Sequence, residues 1–316
     1  MPTENPPVQT TLEKPALETP RPEASSLDRW LIPLALLALW TIWGSTYLGM
    51  RVAVDSFPPF LMNAIRFITT GALMYAFLRW RGVPNPTRLE LWNAARVGII
   101  LITGGNVLVT LAQYLGVATG LSAIAVATVT IWATVWSAVW GVKPRTLELV
   151  GLAVGFCGVA LLTLERSFQG TPWGAIIIFC SPMLWGFGSI WSRRLTLPSP
   201  MMSSAIQMLS GGVFAFVMSL AFGERMTSLP TLKSILAIVY LMVFGSLIGF
   251  NAYIFLLGKV RPSLATSYAY VNPFVALTLG TVFLHERFAW NAFVALPLIL
   301  SGVAFVMMAQ NRGRQP

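Results

Sequence analysis

Arg66 stands seven residues into an apolar run that opens at Pro59, roughly 10 Å along a helix that rises 1.5 Å per residue. A guanidinium at that depth keeps its charge, and its planar fork of donors suits a carboxylate or a phosphate. Two other uses are open to it, snorkelling towards the nearer interface and bonding to carbonyls of a neighbouring helix. Aromatic residues accompany it. Trp40, Trp43 and Tyr47 recur at i, i+3 and i+7, and Trp132, Trp136 and Trp140 at i, i+4 and i+8, so each set forms one stripe on a helix. Such a stripe meets lipid, packs against protein or encloses an apolar ligand; Trp43 and Trp132 lie nearest mid-run, while Trp40 and Trp140 suit an interfacial belt. Asn106, Gln113, Asn251, Ser267 and Asn272 are polar groups inside apolar runs and need partners, from another helix or from a wet cavity. Tyr268 and Asn272 share a face. Pro273 removes a backbone hydrogen bond and is expected to kink or break its helix, freeing carbonyls beside Asn272 or serving structure alone.

What is missing narrows the chemistry further. All eleven Asp and Glu fall in loops, in the N-terminal stretch or at helix ends, so no carboxylate is expected at mid-membrane to carry protons, sodium or a cationic ligand. The single histidine, His285, falls in a short turn and is read as an interfacial residue shaping it. Cys157 and Cys180 lie on different apolar runs without a disulfide or metal spacing and read as core filler. No residue set calls for a cofactor or a metal. A membrane-embedded enzyme would need a nucleophile with a base, or metal ligands, at depth. The sequence supplies neither.

These side chains are carried by a chain that is 56% hydrophobic and 10% charged, with mean hydropathy +0.71. Soluble domains carry about 25% charged residues. Runs of about 20 apolar residues predict ten membrane helices at 31–50, 59–78, 97–115, 121–140, 147–164, 173–192, 202–222, 235–257, 264–284 and 290–309. Residues 1–29, rich in Pro, Glu and Thr, are too polar to bury a core and are expected to be a disordered tail, with no signal-peptide cleavage pattern after the first apolar run. Residues 311–316 form a second tail. Alternate loops receive 15 and 5 of the 21 Lys and Arg, with Arg66 the remaining one; this bias expects both termini in the cytoplasm. It also accounts for the net charge of +10 without a nucleic-acid partner.

The chain repeats itself. Trp43-Gly44 with Arg51 returns 142 residues later as Trp185-Gly186 with Arg193; Pro59, Ala64, Ile65 and Gly71 return at 141 as Pro200, Ala205, Ile206 and Gly212; and Gly158-Val159-Ala160 returns at 144. An odd number of expected crossings separates the copies, which makes them inverted and signals alternating access. Arg66 matches Gln207, also polar. Gly151, Gly155 and Gly158 are spaced for close helix packing, so spans five and ten read as scaffold or as a dimer face.

Ile42-Trp43-Gly44-Ser45-Thr46-Tyr47, Pro58-Pro59 leading to Arg66-Phe67, Pro172-Trp173-Gly174-Ala175, Trp185-Gly186-Phe187-Gly188-Ser189 and Leu264 to Pro273 resemble the EamA branch of the drug/metabolite transporter superfamily, most closely its YedA-like inner-membrane group. The resemblance implies an all-α membrane protein of ten transmembrane helices in two inverted five-helix EamA repeats, at 30–166 and 167–310. It further implies export or exchange of small metabolites, amino acids among them, through a central cavity. One departure is that Pro273 has no counterpart in span four, where Trp132 occupies the aligned site. The expected lining is Arg66, Trp43, Tyr47, Asn106, Trp132, Trp185, Ser189, Gln207, Asn251, Tyr268 and Asn272. The expected partners are the bilayer and a small metabolite, zwitterionic or carboxylated, with the chain a monomer or homodimer. A multidrug exporter is the alternative within the class; a channel or a non-transporting sensor are the alternatives outside it.

Overall fold

A computed structural model describes residues 28–141, 144–163, 172–260, 268–288 and 290–312. Within them every regular element is a helix. We number the long helices α1 (Trp30–Ala53), α2 (Pro59–Trp80), α3 (Arg88–Tyr114), α4 (Thr119–Val139), α5 (Thr146–Thr163), α6 (Pro172–Ser192), α7 (Pro200–Ala221), α8 (Leu232–Leu256), α9 (Tyr268–Leu284) and α10 (Trp290–Arg312). Seven of them, α1 to α4 and α6 to α8, are long and apolar enough to cross a membrane; apolar stretches in α5, α9 and α10 are shorter. Residues 1–27 of the expected tail and the 261–267 connection, with Ser267, lie outside the described residues. Among the described residues, Asp28 and Arg312 are both helical.

Sequence apolarity understates two helix starts. α3 opens nine residues before the expected span, because Thr87 and Glu90 form a reciprocal capping box: the Glu90 N–H donates to Thr87 Oγ1 (3.3 Å) and the Thr87 N–H to Glu90 Oε2 (2.8 Å). α8 starts at Leu232, with Thr231 Oγ1 accepting from the Ser234 N–H at 3.2 Å. Loop acids close two other helix starts. Glu224, after α7, accepts from the N–H groups of Phe60 (3.1 Å) and Leu61 (2.8 Å) at the start of α2. Glu286, after α9, accepts from the Thr119 N–H (2.7 Å) at the start of α4. A carboxylate there satisfies orphan donors and meets the positive end of the helix dipole.

Two helix pairs hold the halves together, α2 with α7 and α5 with α10. Glycines let the backbones touch. A Cβ on Gly71 would lie 2.7 Å from the Leu209 nitrogen, and one on Gly212 would lie 2.7 Å from the Ile68 nitrogen. The contacts advance in opposite senses along the two helices, so α2 and α7 run antiparallel. The same holds for α5 and α10, where Gly151 meets Gly302 and Val306 while Gly158 meets Leu298 and Ile299. The glycine face of α5 is therefore consumed inside the chain and does not present a dimer surface. Correspondence continues elsewhere: Gly44 abuts Val275, and Gly186, its equivalent, abuts Trp132 and Ala133.

Large apolar side chains cover the exterior, with Leu73, Phe77, Leu220 and Phe283 each at least half exposed, as lipid contact requires. Cys157 is exposed too, a correction to its reading as core filler, and Cys180 is half-buried. His285 takes a left-handed backbone (φ 54°) in the turn after α9, in keeping with a residue that shapes it. Pro273 sits inside a continuous helix that is not broken there, a correction to one of the expectations drawn from it.

Candidate functional site

Three helices widen into π-turns where they meet the centre of the bundle: Leu39–Trp43 in α1, Ile99–Val107 in α3 and Leu241–Phe250 in α8. Such turns are rare and gather at functional sites. The α3 and α8 segments begin 142 residues apart, the offset of the Trp-Gly motif, so the irregularity belongs to both halves. Nothing in an apolar run announces a π-turn, which is why the sequence reading lacked it.

Between these segments lies a cavity of about 60 Å³, room for a few waters. It is lined by Trp43, Thr46, Tyr47 and Met50 of α1, Arg66 and Phe67 of α2, Ile102, Gly105, Asn106 and Val109 of α3, Val126 of α4, Ser181 and Trp185 of α6, Gly245 and Phe250 of α8, and Tyr268 and Asn272 of α9. Seven of the eleven residues expected from sequence are among them. Four are elsewhere. Trp132 is half-buried and turns edge-on to Phe156 of α5, with ring centroids 5.6 Å apart. Ser189 stands one layer back, its hydroxyl 3.4 Å from that of Tyr253. The Gln207 amide donates to Ser203 Oγ (2.9 Å), and the Asn251 amide donates to the Leu247 carbonyl (2.7 Å).

Arg66 is 2% exposed. Its Nε donates to Ser246 Oγ (2.9 Å), its Nη1 donates to Asn106 Oδ1 (3.3 Å), and the guanidinium carbon lies 4.5 Å from the centre of the Phe67 ring. Of the five N–H groups of a guanidinium, three have no acceptor among the described residues, and no carboxylate is paired with it. Gly245 makes the fit possible, since a Cβ there would lie 2.8 Å from Arg66 Nη2. Neither snorkelling nor carbonyl bonding describes this side chain, which reaches across to α8 inside the bundle.

One wall of the cavity is aromatic. Trp43 is the hub, with ring centroids 5.9 Å from Trp185, 5.2 Å from Tyr253 and 5.0 Å from Tyr268; Trp185 and Tyr268 meet it nearly edge-on. Tyr253 also contacts Trp185 and Tyr268, each at 6.0 Å. Edge-to-face pairs add about 0.5–1.5 kcal/mol each beyond burial. Trp43 Nε1 donates to the Gly245 carbonyl (3.2 Å), and its indole rests on Gly249, where a Cβ would lie 2.3 Å from Nε1. Trp185 rests on Gly105 in the same manner. Asn272, with its amide turned so that Nδ2 faces carbonyls, donates to Tyr268, Leu39 and Trp40, tying α9 to the π-turn of α1.

Sequence reasoning missed Thr46, Met50, Phe67, Ser181 and Ser246. Thr46 had a signal, its place inside the repeated Trp-Gly motif; Ser246 had none, because its value comes from facing Arg66 across 180 positions of chain.

Comparison with known proteins now bears on this geometry. The model of the EamA-like transporter family matches residues 30–164 and 172–308, once for each half. The chain belongs to this family. It is 44% identical over 284 residues to a protein of Escherichia coli K12 described as an uncharacterized inner membrane transporter, YedA, covering 89% of this chain and 93% of that one. A probable amino-acid metabolite efflux pump of the same organism is 23% identical, over 85% of this chain and 92% of its own length. A crystal structure 19% identical in sequence superposes with a TM-score of 0.63, covering 90% of this chain and 99% of that one, and shows the same fold. An all-helical, multi-pass transporter of this family accounts for a central cavity surrounded by lipid-facing helices. Among the described residues no group of His, Cys, Asp and Glu could hold a metal ion.

Proposed function

We propose that the chain exports or exchanges small carboxylates and zwitterions, amino acids foremost, by alternating access in the inner membrane, with ten crossings and cytoplasmic termini. The observation that carries this reading is Arg66: a buried cation with three unengaged donors, facing a cavity that no described carboxylate lines. A substrate carboxylate supplies the missing partner, and the aromatic wall beside it takes an apolar side chain. The two halves both contribute, since the Arg66–Ser246 bond joins α2 to α8 and the paired Trp–Gly beds join α1 to α8 and α6 to α3. A cavity closed on both sides in turn is what a rocking of such halves produces. The amino-acid efflux pump among the relatives agrees with the substrate class.

The test is flux from proteoliposomes loaded with a mixture of amino acids and their amides, with the released compounds identified by mass spectrometry. Carboxylated compounds should leave faster than their amides. Trp185→Leu should slow that flux, whereas Trp132→Leu, which removes a ring contact with Phe156 away from the cavity, should leave it within about twofold. Release of amides at the rate of the free acids would reject the carboxylate reading. Reporter tags supply the topology: one after Pro316 and one between Arg79 and Arg88 should report cytoplasm, and one near Gln169, outside the described residues, the opposite side. A cytoplasmic signal at Gln169 would end the inverted arrangement.

A further inference from the structure

Empty of substrate, the cavity still contains a charge that needs an answer. A guanidinium does not shed its proton in proteins, and burying an unpaired cation costs several kcal/mol. The neighbours offset little of this, being a phenyl face, a hydroxyl and an amide oxygen. The balance of donors and acceptors is more telling. Three Arg66 N–H groups, the Asn106 Nδ2 amide and the buried Trp185 Nε1 lack acceptors among the described residues. The nearby π-turn carbonyls are already engaged, that of Gly105 by Ser181 Oγ (2.6 Å) and that of Gly245 by Trp43 Nε1 (3.2 Å). Water accepts such bonds but brings no charge to set against the guanidinium. A small anion accepts from every side and donates nothing.

We propose that the Arg66 pocket binds a monovalent inorganic anion, chloride in the cell, as the counter-ion of the substrate-free transporter. Arg66 and Asn106 are its donors, and a substrate carboxylate displaces it. One charge is indicated because Arg66 is the one cationic side chain lining the cavity among the described residues; a dianion would remain half-neutralised. A halide is about the size of one of the few waters this cavity has room for, whereas gluconate, a six-carbon polyol acid, is several times larger. This inference shares with the proposed function the premise that Arg66 faces an anion, but it requires no transported compound.

The test uses the full-length purified protein in detergent at constant ionic strength, exchanging sodium gluconate for sodium chloride. Chloride should raise the unfolding midpoint saturably, by about 2–4 °C, the size a weak ligand gives a chain of this length. The same titration on Arg66→Gln should be flat. A second measurement needs no variant: crystals of the unaltered protein grown in sodium bromide should show an anomalous peak against the Arg66 guanidinium and the Asn106 amide. A midpoint indifferent to chloride, an equal rise in Arg66→Gln, or bromide absent from the cavity would each overturn the proposal. Bromide at Arg66 with no carboxylate flux from proteoliposomes would keep the anion site and reject the proposed substrate. Arg66-dependent carboxylate flux without a halide effect would do the reverse.

Discussion

Arg66→Gln folds and inserts but loses ten- to hundredfold in apparent affinity for carboxylated substrates, while neutral analogues move as before. A hydrogen bond to a charged group is worth about 1.5–3 kcal/mol, and each 1.4 kcal/mol is a factor of ten. The substitution is mild for the fold because the other repeat already uses it: Gln207, at the matching position, is 2% exposed and held by Ser203. Concentration dependence of uptake for an amino acid and its amide, measured side by side in the variant, reads the effect directly. Equal loss for both would assign Arg66 to holding α2 against α8 through Ser246. Replacing Ser246 with alanine then separates the two roles, since it removes the positioning bond and leaves the charge. On the carboxylate reading it costs less than Arg66→Gln.

Much of this arrangement is legible in the sequence, and what is not has a common physical cause. Periodicity names the residues that share a helix face, but not which neighbour that face meets. Trp132 illustrates it. At the 142-residue offset of the Trp-Gly motif its equivalent is Phe274, 54% exposed, and not Pro273, a correction to the expected alignment; the outward face of α4 and the outward face of α9 therefore correspond, and neither looks into the cavity. Carried further, the repeat would have given the right answer, because the residue that α4 does contribute, Val126, stands 142 before Tyr268. Gln207 failed for the opposite reason. There the halves diverge, Arg66 reaching the cavity and Gln207 turning to Ser203 within its own helix. A duplication transmits backbone geometry more faithfully than polar chemistry. The π-turns were invisible because their signal is a change of hydrogen-bond partner along an unchanged apolar run.

Gly302→Val prevents the two halves from closing at one of their two main seams, and the expected result is a protein that fails to accumulate or unfolds well below the parent. At Gly302 a first side-chain carbon would lie 2.6 Å from the Gly155 nitrogen and 2.7 Å from both the Gly151 oxygen and the Gly155 Cα. Each of those atoms is backbone, so no rotamer change relieves the clash and α5 must move away from α10. Overpacking a fitted core costs about 1–3 kcal/mol where side chains can adjust, and this contact leaves nothing to adjust. Separation also opens gaps beside Ile299 and Val306, both fully buried. Gly245→Ala is the informative contrast. Its new methyl meets Arg66 Nη2 at 2.8 Å and Thr46 Cγ2 at 3.0 Å, tips of side chains that can shift. That variant should accumulate normally and lose transport of carboxylates, because what moves is the guanidinium. Fluorescence size-exclusion profiles of the two variants, with thermal midpoints, provide the comparison. Normal accumulation of Gly302→Val would mean that the α5–α10 seam carries little of the stability, leaving α2 with α7 to hold the repeats together.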